Sequence, residues 1–462
     1  MSKYDVAILG GGPGGYETAI RCSQLGLKTC LIEAKELGGT CLNWGCIPTK
    51  ALLHSSEVYI EAKGAAEFGV NTGAVSFDFT KIMSRKDDIL MRQRNGIRGL
   101  EKSHGVEVIK GFGVLTSSTT IDVGGQIIET DKIILATGST PARPPIPGMD
   151  SINVLTSDDI FNLKACPDSI VIIGGGVIGI EFATFFANLD VKVTIVEMMP
   201  EILPGMDTEM KNLLAQTLSG KGVKIVTSAQ VKKIESNGAV SISYIKDGQD
   251  ADVQGAMCLV CVGRRPMTRE IGLEAVGVKT ERGFVGIDEH MRTNIQNVFA
   301  IGDITGKVQL AHVASAQGMI AAANCAGKNE RMDYRFIPSC VYTSPELASV
   351  GMTAEKATSE GIDIRIGTFK IAGNGKAMVI GATVGLVKLI TCAKTGEILG
   401  GQILSPRATD MITEIAAVMR SEGTIEELST TIHPHPTLSE IILEAAHDTH
   451  GLSVHLPPKR KK

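Results

Sequence analysis

Aromatic side chains are scarce in this chain, at 4% of 462 residues with a single tryptophan, Trp44. Long apolar runs are missing too. The longest, over 170–187, is broken by Glu181 and a set of glycines, which excludes a membrane-spanning helix. Neither sign of charge dominates: 46 basic against 50 acidic residues leave a net of −4, so no global field for nucleic acid exists. The one basic block, Lys459-Arg460-Lys461-Lys462, follows Pro457 and Pro458 and reads as a frayed, solvated tail. A secretory leader is not expected, because Asp5 precedes the apolar 6–9 run and that run flows into a glycine motif. Ten cysteines in so long a chain are not a disulfide framework. They point to a reducing compartment: the cytoplasm, or the mitochondrial matrix for a processed organellar protein. With 43% apolar and 21% charged residues, disorder and collagen-like structure are excluded. Glycine is in excess, 52 residues or about 11% against a usual share near 7%. Many glycines with little aromatic bulk suggest the tight strand-to-helix turns of an α/β protein. Length alone suggests about three domains.

A repeat organises the chain. Tyr4-Asp5-Val6-Ala7-Ile8-Leu9 runs into Gly10-Gly11-Gly12-Pro13-Gly14-Gly15, and Ser169-Ile170-Val171-Ile172-Ile173 runs into Gly174-Gly175-Gly176-Val177-Ile178-Gly179. Each is an apolar run suited to a buried parallel strand, then G-x-G-x-x-G, then a helix-like stretch. A second apolar run follows in each copy and ends in an acid, Glu33 or Glu197, 23 residues beyond the first glycine. The first glycine of such a motif allows the tight turn and the second lets backbone approach a pyrophosphate. The third permits helix–sheet contact, and the acid accepts hydrogen bonds from a ribose. One such motif is weak evidence; two with the same spacing predict two dinucleotide sites. Apolar runs at 132–136 and 257–262 close the two units. Alternating segments ahead of them, at 106–115, 120–123 and 126–129 and again from 224–226 through 242–245, predict inserted antiparallel meanders. The proline-rich 140–147 reads as an inter-domain linker. After about residue 337, strand-like pieces at 348–350, 386–390 and 398–403 and helical 409–421 and 438–446 predict a separate α+β domain.

Two cysteines, Cys41 and Cys46, lie in Gly38-Gly39-Thr40-Cys41-Leu42-Asn43-Trp44-Gly45-Cys46-Ile47-Pro48-Thr49-Lys50. In a straight helix, residues five apart have Cα atoms roughly 8–9 Å apart, beyond the ~7 Å reach of a disulfide. A bond therefore needs a distorted turn, which Gly45 allows. Two unrelated buried thiols are the bland alternative. A glycine-rich turn at a helix start, beside a dinucleotide site, favours a reactive pair instead. Cys258 and Cys261 form a CxxC inside an apolar run with no second pair or nearby histidine, so they read as strand packing and no metal site is expected. The segment H-P-H-P-T-L-S-E at 433–440 has two readings. Thr437 and Glu440 suit a capping box at a helix start; His435 and Glu440 equally suit a base oriented by a carboxylate. His447, His450 and His455 fit no standard metal spacing and read as surface histidines.

Taken in order, G-G-G-P-G-G at 10–15, G-G-T-C-L-N-W-G-C-I-P-T-K at 38–50, G-G-G-V-I-G-I-E at 174–181, V-G-R-R-P at 262–266, T-N-I-Q-N-V-F-A-I-G-D at 293–303 and H-P-H-P-T-L-S-E at 433–440 give an end-to-end pattern. It resembles the flavoprotein disulfide reductases, and within them the branch that oxidises protein-bound dihydrolipoamide with NAD. The resemblance implies two Rossmann-like dinucleotide-binding domains with inserted meanders and a C-terminal α+β dimerisation domain. The implied boundaries are an FAD-binding domain at 1–147, an NAD-binding domain at 148–270, a central domain at 271–337 that completes the FAD site, and a dimerisation domain at 338–462. By resemblance, FAD is held by Gly10, Gly12, Gly15, Glu33, Gly113 and Asp303, with Ala311 near the isoalloxazine and Lys50 near its N5, paired to Glu181. NAD is held by Gly174, Gly176, Gly179 and Glu197, with Val231 and Gly263 along its path. An acid at Glu197 with no arginine beside it favours NAD over NADP, since it repels a 2′-phosphate.

The resemblance further implies a redox-active Cys41–Cys46 pair, with His435 as base and Glu440 orienting it from the partner subunit of a homodimer. The implied partners are lipoyl domains of 2-oxoacid dehydrogenase or glycine cleavage complexes, with no nucleic acid and no membrane. An NADPH-dependent glutathione-type reductase and a non-turnover redox sensor are the rival readings. Mercuric reductase and the large thioredoxin reductases are not expected, because no extra metal-binding segment and no terminal cysteine pair are present. Trp44 and Pro434 depart from the commonest family pattern.

Overall fold

The computed structural model describes residues 3–458, so the basic block at 459–462 lies outside the described residues. The first apolar run forms β1 (Tyr4–Leu9), and the glycine turn feeds α1 (Pro13–Gln24). Pro13 opens that helix, where its missing N–H has no intrahelical partner to lose. Then come β2 (Thr29–Glu33), the short α2 (Gly39–Trp44), α3 (Cys46–Gly64), α4 (Phe79–Ser103), β3 (Glu107–Lys110), β4 (Gly113–Ser117), β5 (Thr120–Val123) and β6 (Gln126–Leu135). β3, β2, β1 and β6 lie side by side and parallel. The first half of β6 pairs antiparallel with β5 and its second half parallel with β1, so one strand serves both the meander and the central sheet. β1 and β2 are covered on both faces, which is why their sequences are nearly continuous hydrophobic runs.

The second unit repeats this plan. β7 (Ser139–Pro141) and β8 (Val154–Thr156) precede β9 (Ser169–Ile173), α5 (Val177–Asn188), β10 (Lys192–Val196), α6 (Thr208–Gly220) and β11 (Lys224–Val226). The meander β12 (Ala229–Asn237), β13 (Ala239–Lys246) and β14 (Gln249–Gly255) leads to β15 (Met257–Val260) and β16 (Arg264–Pro266). The parallel sheet has the order β11-β10-β9-β15-β8. α5 carries Phe182, Phe185 and Phe186 at 1% exposure or less, so a quarter of the twelve phenylalanines pack around one helix. Each such ring contributes about 1.5–3 kcal/mol by burial.

Three expectations are corrected here. Glu107–Lys110 and Lys224–Val226 are outer parallel strands, not meander strands: Cys30 pairs with Glu107 and Thr194 with Lys224. Both are short and partly exposed because they lie at the outer edges of their sheets, a position that the sequence does not distinguish from a meander. The segment 140–147 is not wholly a linker, since Thr140 and Pro141 lie in β7, paired antiparallel with β16. Proline is tolerated there because the ribbon has only two strands and both are edges.

A central stretch returns to the first unit. After α7 (Leu273–Val276), β17 (Thr280–Glu281) and β18 (Phe284–Val285), β19 (Val298–Ala300) pairs parallel with β6, and α8 (Ala311–Cys325) packs along α1. The last part is one antiparallel sheet with helices. It contains β20 (Ser339–Val341), β21 (Glu346–Gly351), α9 (Ala354–Ser359), β22 (Ile364–Lys370), α10 (Gly375–Val379), β23 (Leu386–Cys392), β24 (Ile398–Ser405), α11 (Ala408–Arg420), α12 (Ile425–Thr430) and α13 (Glu440–Thr449). The strand order is β20-β21-β24-β23-β22, as the α+β reading expects. This part is fastened to the second unit by the buried Lys388, whose Nζ donates to both oxygens of Asp207 at 2.9 Å and meets Glu209 at 2.9 Å. The fold is thus α/β with two dinucleotide-binding units and a C-terminal α+β unit, and among the described residues no helix is long and apolar enough to cross a membrane.

Candidate active site

The two glycine turns are superposable in their constraints. Gly10 (φ +109°) and Gly174 (φ +112°) adopt conformations that L side chains rarely reach, and a Cβ on either would lie 2.3–2.4 Å from a carbonyl, of Ala136 or Cys261. A Cβ on Gly15 would strike the Gly10 carbonyl at 1.8 Å, and one on Gly179 the Gly174 carbonyl at 2.0 Å. A Cβ on Gly176, by contrast, would meet nothing within 4 Å, and one on Gly12 only the Cα of Gly39, at 3.9 Å. The acids are held alike. Glu33 accepts from the N–H of Gly11 at 2.7 Å and of Lys35 at 2.6 Å; Glu197 accepts from the N–H of Gly175 at 2.5 Å and of Met199 at 2.6 Å. In each unit the N–H of the second glycine is thus tied to the acid that ends the next strand, so the two loops share one arrangement of turn, helix start and carboxylate.

The first loop is in direct contact with the start of α2, the helix that carries Cys41. A Cβ on Gly39 would sit 2.6 Å from Cα of Gly12, so α2 starts against the pyrophosphate turn. The helix breaks at Gly45 (φ −151°, ψ −109°) and resumes as α3 at Cys46. That break is the distorted turn the spacing demanded. It brings the Cys41 and Cys46 thiols into hydrogen-bond contact, both free. The Cys46 thiol is lowered to about 7, first by the hydrogen bond from Cys41 and further by the Lys50 ammonium, against an opposing effect of burial and Glu181. Cys41 is raised by the same hydrogen bond. The Lys50 ammonium thus favours the thiolate at Cys46 over Cys41.

Lys50, one turn beyond Cys46 on α3, donates to both carboxylate oxygens of the buried Glu181 on α5 at 2.8 Å. The backbone N–H of Tyr342 donates to the same carboxylate, and the Lys50 ammonium lies 4.3 Å from the Tyr342 ring centre. Asp303, in the turn after β19, accepts from the Ser139 hydroxyl. Ala311 opens α8 beside it. Gly113 lies in β4 with its Cα packed toward Leu9, Ile32 and Ile121. Val231 sits at an irregularity of β12 opposite Tyr244, and Gly263 (φ +107°) follows β15 where a Cβ would meet nothing within 4 Å.

The His435 Nδ1 and Glu440 Oε1 are 2.8 Å apart, and the other Glu440 oxygen accepts from the N–H of Thr437 at 2.8 Å. One carboxylate thus serves both readings of the motif. The residue preceding α13 is Ser439, however, and not Thr437, whose hydroxyl turns back to the Pro434 carbonyl. The His435 ring is 80% exposed, and among the described residues no hydrogen bond or ion pair links it to either thiol. His433 is buried against Glu414 of α11 at 2.8 Å, and that hydrogen bond raises it above the ordinary histidine range. His447 is corrected from a surface residue: it is half-buried, with Nε2 on the Ser429 carbonyl at 2.9 Å, because it lies on the inward side of α13. Cys258 is buried in β15 and pushed up to about 12, and among the described residues no group of three or more candidate ligands could hold a metal ion.

Several contributors were not singled out from sequence. Asn43 is buried and donates to the carbonyls of Leu37 and Gly39 at 3.0 and 2.9 Å while accepting from Arg94, which fixes α2. Arg264 donates to the Ser139 hydroxyl and carbonyl at 2.7 and 2.8 Å and reaches Thr40, next to Cys41. V-G-R-R-P contained this signal, but only the fold shows which arginine points inward. Trp44 is half-buried against a hydrophobic cluster to which Leu52 and Leu53 of α3 belong, with the Lys35 ammonium 5.4 Å from its ring centre.

A family model for pyridine nucleotide-disulphide oxidoreductases matches residues 4–318, and the dimerisation domain of the same group matches 337–446. Among characterised relatives, a dihydrolipoyl dehydrogenase of Bacillus subtilis is 41% identical over 98% of this chain and 99% of its own, and one of Chlamydia trachomatis is 41% identical over 99% of both. Among solved structures, the HOCl-induced flavoprotein disulfide reductase RclA of Escherichia coli, as its Cu(II) complex, is 31% identical with a TM-score of 0.88, covering 96% of this chain and 99% of that one. LpdA of Mycobacterium tuberculosis is 29% identical with a TM-score of 0.90, covering 97% and 99%. The chain belongs to the pyridine nucleotide-disulphide oxidoreductases.

Proposed function

We propose that this chain is an NAD-linked dihydrolipoyl dehydrogenase, which oxidises dihydrolipoamide carried on the lipoyl domains of 2-oxoacid dehydrogenase or glycine cleavage complexes. The unequal Cys41–Cys46 pair, held against the first dinucleotide loop by a broken helix, carries this reading. The first loop, with Glu33, Lys50 and Asp303 around it, fits FAD; the second, with Glu197, fits NAD. When bound, FAD would supply two-electron chemistry between the thiols and NAD. The proposed units run 1–147, 148–270, 271–337 and 338–462, and the return of β19 to β6 supports the third as part of the first dinucleotide site. Ten free cysteines support a reducing, cytoplasmic setting.

The chain's own groups perform the thiol chemistry. Glu440 holds Nδ1 of His435, leaving Nε2 to take the proton of a substrate thiol. The thiolate attacks Sγ of Cys41 in the oxidised pair, the Cys41–Cys46 bond breaks, and Cys46 leaves as a thiolate that Lys50 stabilises. The second substrate thiol displaces Cys41 from the mixed disulfide. The substrate departs as a cyclic disulfide and two electrons rest on the cysteine pair: Cys41 takes the proton that His435 holds, His435 takes the proton of the second substrate thiol, and the reduced site is a Cys41 thiol and a Cys46 thiolate with a protonated His435. Because the exposed His435 has no link to the thiols of its own chain, the base acts from one subunit of a homodimer on the thiols of the other.

Cys46→Ser tests the proposal. NAD reduction by dihydrolipoamide should vanish while FAD stays bound; turnover near the wild-type rate would rule the mechanism out.

A further inference from the structure

The loop that carries His435 has one anchored side chain. Of residues 431–436, all but His433 are exposed, and the His433 side chain is 4% exposed. Pro434 and Pro436 flank His435 and have no N–H with which to tie the loop down. The far end is held at Thr437, whose N–H donates to Glu440 and whose carbonyl accepts from the Asn374 side-chain amide at 3.0 Å. The near end depends on the His433 ring.

Both nitrogens of that ring face acceptors. Nδ1 lies 3.0 Å from the Thr431 carbonyl, and Nε2 lies 2.8 Å from Oε1 of Glu414 on α11. A carbonyl cannot donate, so Nδ1 carries a proton. A second proton lies between Nε2 and Oε1, and imidazole is the stronger base of the two by about two pKa units. The ring is therefore an imidazolium paired with a carboxylate. A neutral imidazole has a single N–H and satisfies only one of the two contacts. Glu440 of α13 adds to the same field and itself holds His435. From α12, Glu427 is taken up by Thr424 and Glu426 by His450.

We infer that His433 is a positioning residue for His435: held as an imidazolium between the Thr431 carbonyl and the Glu414 carboxylate, it pins the loop from which the base works. Loss of its proton sets a ring lone pair against an acceptor in a buried seat, which costs that contact and releases the side chain. The Glu414 hydrogen bond raises His433 against the opposing effect of burial. The anchor is thus fully present below the ordinary histidine value of 6.5 and is lost as pH rises through the raised one. The inference rests on the base role proposed above for His435.

Histidine labelled with 15N in its ring, in the holoenzyme, reads the charge without reading activity. With His433→Gln used to assign the signal, His433 should show two protonated ring nitrogens at about pH 7.5, where an ordinary histidine is mostly neutral. A neutral ring at that pH overturns the inference. Glu414→Gln, which keeps an acceptor but removes the charge, tests the role. It should lower kcat for dihydrolipoamide oxidation about tenfold at about pH 7.5 and only about twofold at about pH 5.5, where the ring regains its proton, with flavin content unchanged. An equal loss at both pH values overturns the inference, because a merely structural role would not follow the charge. If Glu414→Gln does not fold, the wild-type spectrum still decides. Full turnover in His435→Gln would strike the proposed function and leave the charge state of His433 standing.

Discussion

Lys50 and Glu181 meet at 2.8 Å across the boundary between the redox helix of the first unit and the glycine-loop helix of the second. The pair has two consequences of opposite sign for the neighbouring thiol. The ammonium lowers Cys46 and the carboxylate raises it. Lys50→Met should therefore raise the pH at which Cys46 becomes alkylated by iodoacetamide, and Glu181→Gln should lower it. Glu181→Ala, which leaves the half-buried Lys50 unpaired, should also cost about 1–2 kcal/mol in denaturant unfolding. Equal thiol titrations in the two charge variants would contradict the assignment.

Glu440→Gln should lower kcat for dihydrolipoamide oxidation by about 10²-fold, because His435 then loses the carboxylate that fixes its tautomer and stabilises its protonated form. NADH oxidation by an artificial electron acceptor, which needs no thiol base, should be nearly unchanged. A parallel loss of both activities would assign Glu440 to structure alone.

Much of this site was legible in the sequence, and the reasons are local. A glycine turn followed by an acid imposes nearly the same backbone wherever it occurs, so the two loops and their tethered carboxylates followed from spacing. The broken helix at Gly45 followed from the impossibility of bridging Cys41 and Cys46 in a straight one. What depended on packing between distant segments was not legible. The short, partly exposed run Glu107–Lys110 fits a meander and a sheet edge equally, and the choice is made by its pairing with Cys30 to Glu33. Asn43, Arg264 and Glu414 are ordinary polar residues until the fold places Leu37, Ser139 and His433 beside them.

Glu197→Arg should shift nucleotide preference from NAD toward NADP, since a guanidinium there attracts the 2′-phosphate that the carboxylate repels. The ratio of kcat/KM values for the two nucleotides measures this. An unchanged ratio would show that Glu197 does not read the ribose.

Glu101 on α4 is buried, neither of its carboxylate oxygens has a partner among the described residues, and burial pushes it up to about 8. An acid raised on folding keeps its proton in the native state while the unfolded chain releases it. Stability is then fully present below the ordinary carboxylate range and falls as pH rises toward about 8. Glu101→Met should raise the unfolding free energy by about 1–3 kcal/mol, with a larger gain in weakly alkaline than in weakly acidic buffer. A gain independent of pH would contradict the burial argument.

The most direct measurement is steady-state reduction of NAD by the purified, FAD-containing protein with dihydrolipoamide as donor, set beside NADP under the same conditions. Rapid turnover with NAD and little with NADP is the expected result. No acceleration of dihydrolipoamide oxidation on adding NAD would contradict the proposed function outright.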